Sequence, residues 1–189
     1  MAPRRLIRWA PAAGIVLVAG ALGVLQLGRD DGPEPQAVES SAETFGARDD
    51  LVAASDLIVV ATVLEVADGR TITSPNDPDA GIRTRLVELD VTDVVHGDAP
   101  DRLVIEEADA FADGTPMVLD GMTELNAGDA AVWFLVAGGS DSMPYYAAVN
   151  SQARFQIIGD TLDPSGDDPL SRELAELGRD GLIGALAAS

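Results

Sequence analysis

Apolar residues along the chain fall into short runs with a period of two, which is typical of β-strands. Residues 57–66 are apolar on both faces and predict a central strand. Residues 87–95 begin with a strict alternation of apolar and polar positions and predict a strand with one face in solvent. Further strands are predicted at residues 102–106, 130–136, 145–149 and 153–158. Turn residues separate these strands, so the pattern favours a small antiparallel barrel or sandwich.

Helical spacing marks both ends of this region. Residues 48–55 predict a short helix before the first strand. After the last strand, Asp168 predicts an N-cap and Pro169 the first residue of a helix. Asp180 is expected to cap a second short helix. The predicted fold is mainly β, an OB-like antiparallel barrel with a short N-terminal helix and a C-terminal helical tail.

Glycine, proline and polar residues predict the breaks between the strands. The first strand is expected to end at residues 68–70, and a polar loop is expected at residues 73–81. Residues 108–124 contain several glycines and a proline and predict irregular structure.

The first part of the chain is predicted to be a membrane or signal helix. Arg4, Arg5 and Arg8 precede an uncharged stretch at residues 9–28, which is long enough to cross a bilayer as a helix. Basic residues before this stretch and acidic ones after it favour an N-terminus that stays inside and a remainder that is exported. Two alternatives stay open: a signal peptide cleaved near Ala21, giving a secreted protein, or a single-pass anchor through residues 6–28.

Composition divides the chain into four parts. Residues 1–28 form the signal peptide or anchor, and residues 29–46 are rich in Pro, Ser, Glu and Asp and predict an acidic disordered spacer. Residues 47–160 hold the predicted barrel. Residues 161–189 form the helical tail.

Charge and composition exclude several function classes. The chain has 189 residues, 32 acidic and 12 basic side chains, and a formal charge of −20. Residues 29–189 hold all 32 acids and nine arginines, so the exported part carries −23. This charge argues against nucleic-acid binding, which needs clustered basic side chains. The absence of cysteine rules out disulfides and thiol chemistry, and His96 is the single histidine, an expected exposed turn residue.

Acidic residues offer two kinds of candidate chemistry. Glu106, Glu107 and Asp109 form the best local carboxylate cluster, and paired carboxylates are the machinery of glycosidase-type hydrolysis. Two loops contain several oxygen ligands of the kind that calcium binds. The first has Asp77, Asp79, Gly81 and Glu88, but its glycine is one place too early for an EF-hand and Glu88 falls in a predicted strand, so this motif fails. The second has Asp160, Asp163, Ser165, Asp167 and Asp168. With this many acids such clusters arise by chance, so we predict no catalytic residues, no metal site and no cofactor.

A binding surface is predicted from aromatic and basic residues. Trp133, Tyr145 and Tyr146 could form a stacking platform of the kind found on OB folds, although aromatics on apolar strands are usually core residues. Arg83 and Arg85 flank the polar loop and could contact an acidic partner, or pair with acids of the same chain.

The order of these segments resembles a known group. Residues 54–63 (ASDLIVVATV), residues 91–97 (VTDVVHG) and residues 125–135 (LNAGDAAVWFL) are similar to the strand and turn patterns of bacterial relatives of netrin-module and tissue-inhibitor-of-metalloproteinase-like OB domains. The resemblance covers residues 47–137 and extends toward 158. It implies an OB-like barrel, export and a binding role. The resemblance does not imply zinc-directed inhibition, because that activity needs an N-terminal cysteine and this chain has none. A second departure from the pattern is His96, which stands where the bacterial relatives have lysine.

Together these patterns predict an exported, membrane-tethered, non-catalytic binding module of the cell envelope. Its partner would be an unidentified protein or envelope component, not nucleic acid, and the exported domain is expected to be monomeric. A carboxylate-dependent hydrolase and a calcium-stabilised structural module are the alternatives.

Overall fold

A computed structural model describes residues 36–38, 44–74, 77–119, 124–139 and 145–188. Within these residues there are nine strands and three helices. The strands are β1 (Gln36–Val38), β2 (Leu57–Ser74), β3 (Asp77–His96), β4 (Arg102–Phe111), β5 (Met117–Leu119), β6 (Ala130–Val136), β7 (Ala147–Ala148), β8 (Arg154–Ile158) and β9 (Thr161–Pro164). The helices are α1 (Arg48–Ala54), α2 (Pro169–Glu176) and α3 (Gly178–Ala187).

The predicted signal or anchor segment, residues 1–28, lies outside the described residues. None of the described helices has the length and apolar character needed to cross a membrane.

Seven strands form one antiparallel sheet in the order β4-β3-β2-β6-β8-β9, with β7 also paired to β6. β2 lies between β3 and β6, and residues 57–61 are buried on both faces. The prediction of a central strand is therefore confirmed, as is a mainly β fold with a helix before the strands and a helical tail. Across the described residues, this sheet does not close into a continuous ring of paired strands.

The sheet buries a separate apolar cluster on each face, because alternate residues of a strand point to opposite sides. Phe134 of β6 packs with Leu51 of α1 and Leu182 of α3 on the helix-covered face. Its neighbour Trp133 packs on the other face with Leu89 and other residues of β3 and β4. Each fully buried side chain of this size contributes about 1.5–3 kcal/mol to folding.

The β2–β3 hairpin is longer than the sequence predicts. Strand β2 does not end at residues 68–70, and most of the predicted loop at residues 73–81 is strand. A register shift between Asp68 and Thr71 takes up Gly69 and Arg70 within the ladder. Gly69 fits because its backbone lies against Thr84, where a Cβ atom would overlap the Thr84 side chain.

The region predicted as irregular, residues 108–124, is also more ordered than expected. Strand β4 continues to Phe111 because its last residues pair with the extended hairpin. A tight turn follows, in which the Phe111 N–H donates to the Thr115 carbonyl at 2.9 Å, and β5 comes directly after it.

Strand β1 lies within the segment predicted as a spacer. Its three residues pair in parallel with β5, with Gln36 opposite Met117 and Val38 opposite Leu119. β5 in turn is bridged to β4 by Ala110 and Pro116.

Helix α2 begins as predicted. The Asp168 side chain accepts the Ser171 N–H at 3.0 Å, and Pro169 is the first helical residue. Helix α3 differs, because Leu177 is its N-cap and Asp180 lies inside its first turn. The φ angle of Gly178, +67°, lets the chain turn directly from one helix into the next. Strand β9, which precedes these helices, was not predicted.

Gln152 joins the start and the end of the folded region. Its side chain is buried, and its Oε1 accepts the Phe45 N–H at 2.7 Å while its Nε2 donates to the Phe45 carbonyl at 3.0 Å. The same Nε2 donates to Asp168 Oδ1 at 2.7 Å. The side-chain amide of Gln152 therefore joins the backbone just before α1 to the start of the helical tail.

Candidate functional site

Arginines of β3 face carboxylates of β4. Arg85 stands opposite Glu107 in the ladder, and Arg85 Nη2 lies 3.0 Å from Glu107 Oε2. The two side chains are only 16% and 6% exposed, so this is a buried ion pair. Arg83 forms a looser, more exposed pair with Asp109 at 3.6 Å. Arg83 and Arg85, which were considered for contact with an acidic partner, therefore pair with acids of their own chain.

A second ion pair uses Glu106 and an arginine that the sequence did not single out. Arg70 of β2 donates from Nε and Nη2 to the two oxygens of Glu106, each at 2.8 Å. Thr84 Oγ1 donates to Glu106 Oε1 at 2.9 Å. Burial raises the pKa of Glu106, but the hydrogen bonds from Arg70 and Thr84 outweigh it and leave the pKa below its ordinary value. Glu106 is therefore held as a carboxylate.

Glu106 and Glu107, the two glutamates of the local carboxylate cluster, do not converge on one point. Glu106 and Glu107 are neighbours in a strand, so their side chains point to opposite faces of the sheet. Glu107 is buried against Arg85, whereas Glu106 is bound by Arg70 on the other face. A glycosidase-type pair needs two carboxyl groups on either side of one bond, and these two are separated by the sheet.

Trp133 and Arg154 extend the buried pair into a larger group. The two residues are opposite each other in the β6–β8 ladder, and the Arg154 guanidinium carbon lies 5.7 Å from the Trp133 ring centroid. Both side chains are buried. Burial lowers the pKa of Arg154, the nearby Glu107 carboxylate raises it, and the Arg85 charge lowers it again. We call Arg85, Glu107, Trp133 and Arg154 the inner polar cluster.

Comparisons with known proteins add no family to this geometry. No family model matches the chain, and no curated protein is significantly similar to it. The resemblance to netrin-module and tissue-inhibitor-like OB domains stays a prediction, and the chemistry of the site follows from its own residues.

The aromatic residues do not share one exposed surface. Trp133 is fully buried, and its Nε1 has no hydrogen-bond partner in the described part of the chain. Tyr145 and Tyr146 are half-buried beside β4. The backbone of Tyr146 donates to the Val104 carbonyl at 3.1 Å and accepts from the Glu106 N–H at 2.8 Å. Trp133 is therefore a core residue, and Tyr146 acts through its backbone as a link to β4.

A concave surface borders the inner polar cluster. It is an open depression of about 450 Å³ between β2 and the segment that leads into β6. Arg85 belongs to both features, so the depression adjoins the buried pair of Arg85 and Glu107. Its lining includes the charged residues Glu65, Asp68, Arg85, Asp109 and Glu124.

The residues of the two segments considered for calcium take part in other structure. Residues 77–81 and Glu88 belong to strand β3 and not to a loop. In the other segment, Asp168 caps α2 and Asp167 accepts from Arg172 Nε at 3.1 Å. Within the described ranges, no three His, Asp or Glu side chains are grouped so that they could hold a metal ion.

His96 lies at the end of β3 and is exposed, as predicted for a turn histidine. Gly97 follows it with a φ of +83°.

Sequence reasoning missed Arg70, Gln152 and Arg154. Arg154 alternates with Phe155 in a strand pattern that predicts one apolar and one solvated face. The residue that could have indicated a buried Arg154 is Trp133 on the neighbouring strand, because the face of an indole is a favourable partner for a guanidinium. Nothing in the sequence marks Arg70, because its partner Glu106 is 36 positions away.

Proposed function

We propose that this chain is an exported, non-catalytic binding module of the cell envelope, tethered to the membrane by its N-terminal segment. Export rests on the sequence, in which three arginines precede 20 uncharged residues and acidic residues follow them. The partner is an envelope protein or another envelope component.

The observation that carries the non-catalytic assignment is the pairing of the candidate acids. Glu106, Glu107 and Asp109 each face an arginine, at 2.8, 3.0 and 3.6 Å. A general acid needs a raised pKa, whereas the hydrogen bonds from Arg70 and Thr84 lower the pKa of Glu106. Paired in this way, the three carboxylates join strands of the sheet.

An OB-like barrel is the second part of the proposal. Its support is the pair of hydrogen bonds between Tyr146 and β4, since the next residues form β7, which pairs with β6. A chain of hydrogen bonds thus runs from β4 through β3, β2, β6 and the residues before β7 back to β4. The resemblance of residues 47–137 to bacterial relatives of netrin-module and tissue-inhibitor-like domains agrees with this arrangement.

Photo-crosslinking in intact cells tests the binding function. A photoreactive amino acid is placed at exposed positions of the domain, such as Asp113, Arg172 or Leu177, and at the buried position Val132 as a control. We expect the exposed positions on one side to capture the same exported partner, and Val132 to capture none. A folded domain found inside the cell, or one that captures nothing at any exposed position, would overturn the proposal.

A matched variant tests the non-catalytic assignment. Glu106→Gln removes the carboxylate charge but keeps the shape of the side chain. We expect the variant to capture the same partner, unchanged in mass. A partner that accumulates in modified form only with the parent chain would show that the domain is an enzyme.

A further inference from the structure

Strands β1 and β5 form a two-stranded sheet of their own, apart from the seven-stranded sheet. Strand β1 belongs to the linker that follows the predicted anchor, and it pairs with β5 over three residue pairs in parallel register. β5 is fixed to the body of the protein through the tight turn after Phe111 and the bridge between Ala110 and Pro116. The acceptor strand is thus part of the domain, whereas its present occupant is part of the tether.

The occupant is weakly held. Three residues form few ladder hydrogen bonds, and the conformational entropy lost when they are ordered offsets most of what those bonds return. Parallel pairing is also slightly weaker per residue than antiparallel pairing. An extended segment that pairs with the same three residues of β5 and carries a more favourable charge would therefore compete with β1.

We infer that the β5 edge is a strand-acceptor site, where an extended, basic segment of another exported protein replaces β1. This inference rests on the proposed function, for which it supplies the surface and the class of partner. Backbone pairing provides affinity without a requirement for particular side chains. Displacement of β1 would also release the linker between the predicted anchor and the domain.

Charge favours a basic partner over a second copy of this chain. The exported part carries −23, so two copies repel each other, whereas lysine or arginine beside an extended core is attracted. The turn that leads into β5 presents the exposed carboxylate of Asp113, which accepts the Thr115 N–H at 2.8 Å. Hydrogen bonds from the backbone and the side chain of Thr115 lower the pKa of Asp113, so the Asp113 carboxylate stays charged at mildly acidic pH.

The test uses the full chain in a non-ionic detergent and three synthetic peptides. The probe carries the core Gln-Ala-Val of β1 with two lysines on each side. One control has glutamates in place of the lysines. The other keeps the lysines but is N-methylated at the alanine and the valine, so it lacks the amide hydrogens that a ladder needs. Binding is measured by fluorescence anisotropy, and hydrogen exchange follows the amides of Met117 and Leu119.

Two variants of the chain change the occupancy of the edge. Ala37→Pro and Val38→Pro, made together, remove the amide hydrogens of two successive residues of β1. One of these two amides faces β5, because the amides of successive strand residues point to opposite sides, so the double substitution releases β1. Ser41→Pro and Ala42→Pro make the same change in the linker outside β1. We expect the probe to bind about tenfold more tightly to the chain with Ala37→Pro and Val38→Pro than to the parent, because the competing strand is gone. It should bind equally to the linker variant and the parent. Val118→Pro and Leu119→Pro, made together, should abolish binding while the Trp133 amide in β6 stays protected, which shows that the fold is intact.

Several results would overturn the inference. Equal binding of the probe and its N-methylated control would exclude strand pairing, and equal binding of the glutamate peptide would exclude the charge preference. A chain with Ala37→Pro and Val38→Pro that dimerises without binding the probe would make a second copy the occupant.

Crosslinking separates this inference from the proposed function. Capture of a partner from Arg172 but not from Thr115, together with no binding of the probe, would leave the binding function standing and refute the strand-acceptor edge. Probe binding at β5 with no partner captured at any position would refute the proposed function instead.

Discussion

The guanidinium of Arg154 lies over the ring of Trp133, with 5.7 Å between the guanidinium carbon and the ring centroid. Both side chains are buried, and the Glu107 carboxylate is near enough to raise the pKa of Arg154 against the lowering effect of burial. A desolvated guanidinium is stabilised both by the face of an indole and by an opposite charge. The buried interior therefore contains a charged group that stacks on a planar side chain, and we expect the stability of the fold to depend on this contact.

Arg154→Lys tests this dependence. Lysine keeps the charge but loses the planar stacking surface, so we expect the free energy of unfolding to fall by about 2 kcal/mol. The measurement is urea unfolding followed by fluorescence in a Trp9→Phe background, where Trp133 is the single tryptophan. Arg48→Lys is the control, because Arg48 pairs with its exposed neighbour Asp49, and it should cost less than about 0.5 kcal/mol. Equal losses in the two variants would contradict a structural role for the stacked guanidinium.

Glu106→Gln tests the ion pair on the opposite face of β4. We expect a loss of about 1 kcal/mol at pH 7, a modest value because Arg70 is partly exposed and screened by solvent. The matched control is Glu88→Gln, whose partner Arg102 is 66% exposed and 3.4 Å away, and which should cost almost nothing.

The same variant predicts a pH dependence. The pKa of Glu106 is lowered in the folded protein, so its contribution to stability is complete above the unfolded-state pKa and is lost as the pH falls through the folded-state pKa. The difference in stability between the parent chain and Glu106→Gln should therefore be constant near neutrality and shrink below about pH 4.3. Urea midpoints of both chains between pH 3 and 7 measure it, and a constant difference over that range would argue against an ionised Glu106.

Gln152→Leu tests the junction between the two ends of the domain. Leucine has a similar volume but leaves the Phe45 backbone and one Asp168 oxygen without their amide partner. We expect a loss of about 2–4 kcal/mol. Hydrogen exchange at the Phe45 and Ser171 amides should accelerate more than exchange in β6. Gln156→Leu, at a half-buried position of the same strand region, is the control and should leave both amides protected.

Alanine substitutions at two glycines distinguish the stability lost through an unfavourable φ angle from the stability lost through steric overlap. Gly97 and Gly128 have φ angles of +83° and +94°, which disfavour any residue with a Cβ. A Cβ on Gly97 would also overlap the Asp56 carbonyl, whereas one on Gly128 would meet open space. We expect Gly128→Ala to cost about 1 kcal/mol and Gly97→Ala clearly more. Thermal unfolding measures the difference, and equal melting temperatures would show that the chain near Asp56 adjusts freely.

Local patterns were enough to predict most of the framework. The apolar stretch at residues 57–66 indicated a central strand because only a strand covered on both faces tolerates it. The Asp168 cap followed by Pro169 marked the start of α2 to the residue. In both cases the decisive interaction lies within a few positions of the residues that signal it.

What could not be predicted depends on contacts between distant segments. Gly69 reads as a strand end, yet the strand continues because Thr84, on the neighbouring strand, holds the irregular register. Gln152 contacts a backbone 107 positions away, and a buried glutamine has no signature of its own. The pairing of Arg70 with Glu106 likewise depends on the hairpin register, which the sequence does not specify.

Strand β1 would also set the length of the linker between the predicted anchor and the domain. With β1 paired, residues 29–35 alone connect the predicted anchor to the domain, and an extended chain of that length reaches roughly 25 Å. With β1 released, the next fixed point is Phe45, held by Gln152, and the connection grows to residues 29–44, or roughly 55 Å. Whether β1 or another segment pairs with β5 would therefore decide how far from the bilayer the domain can extend.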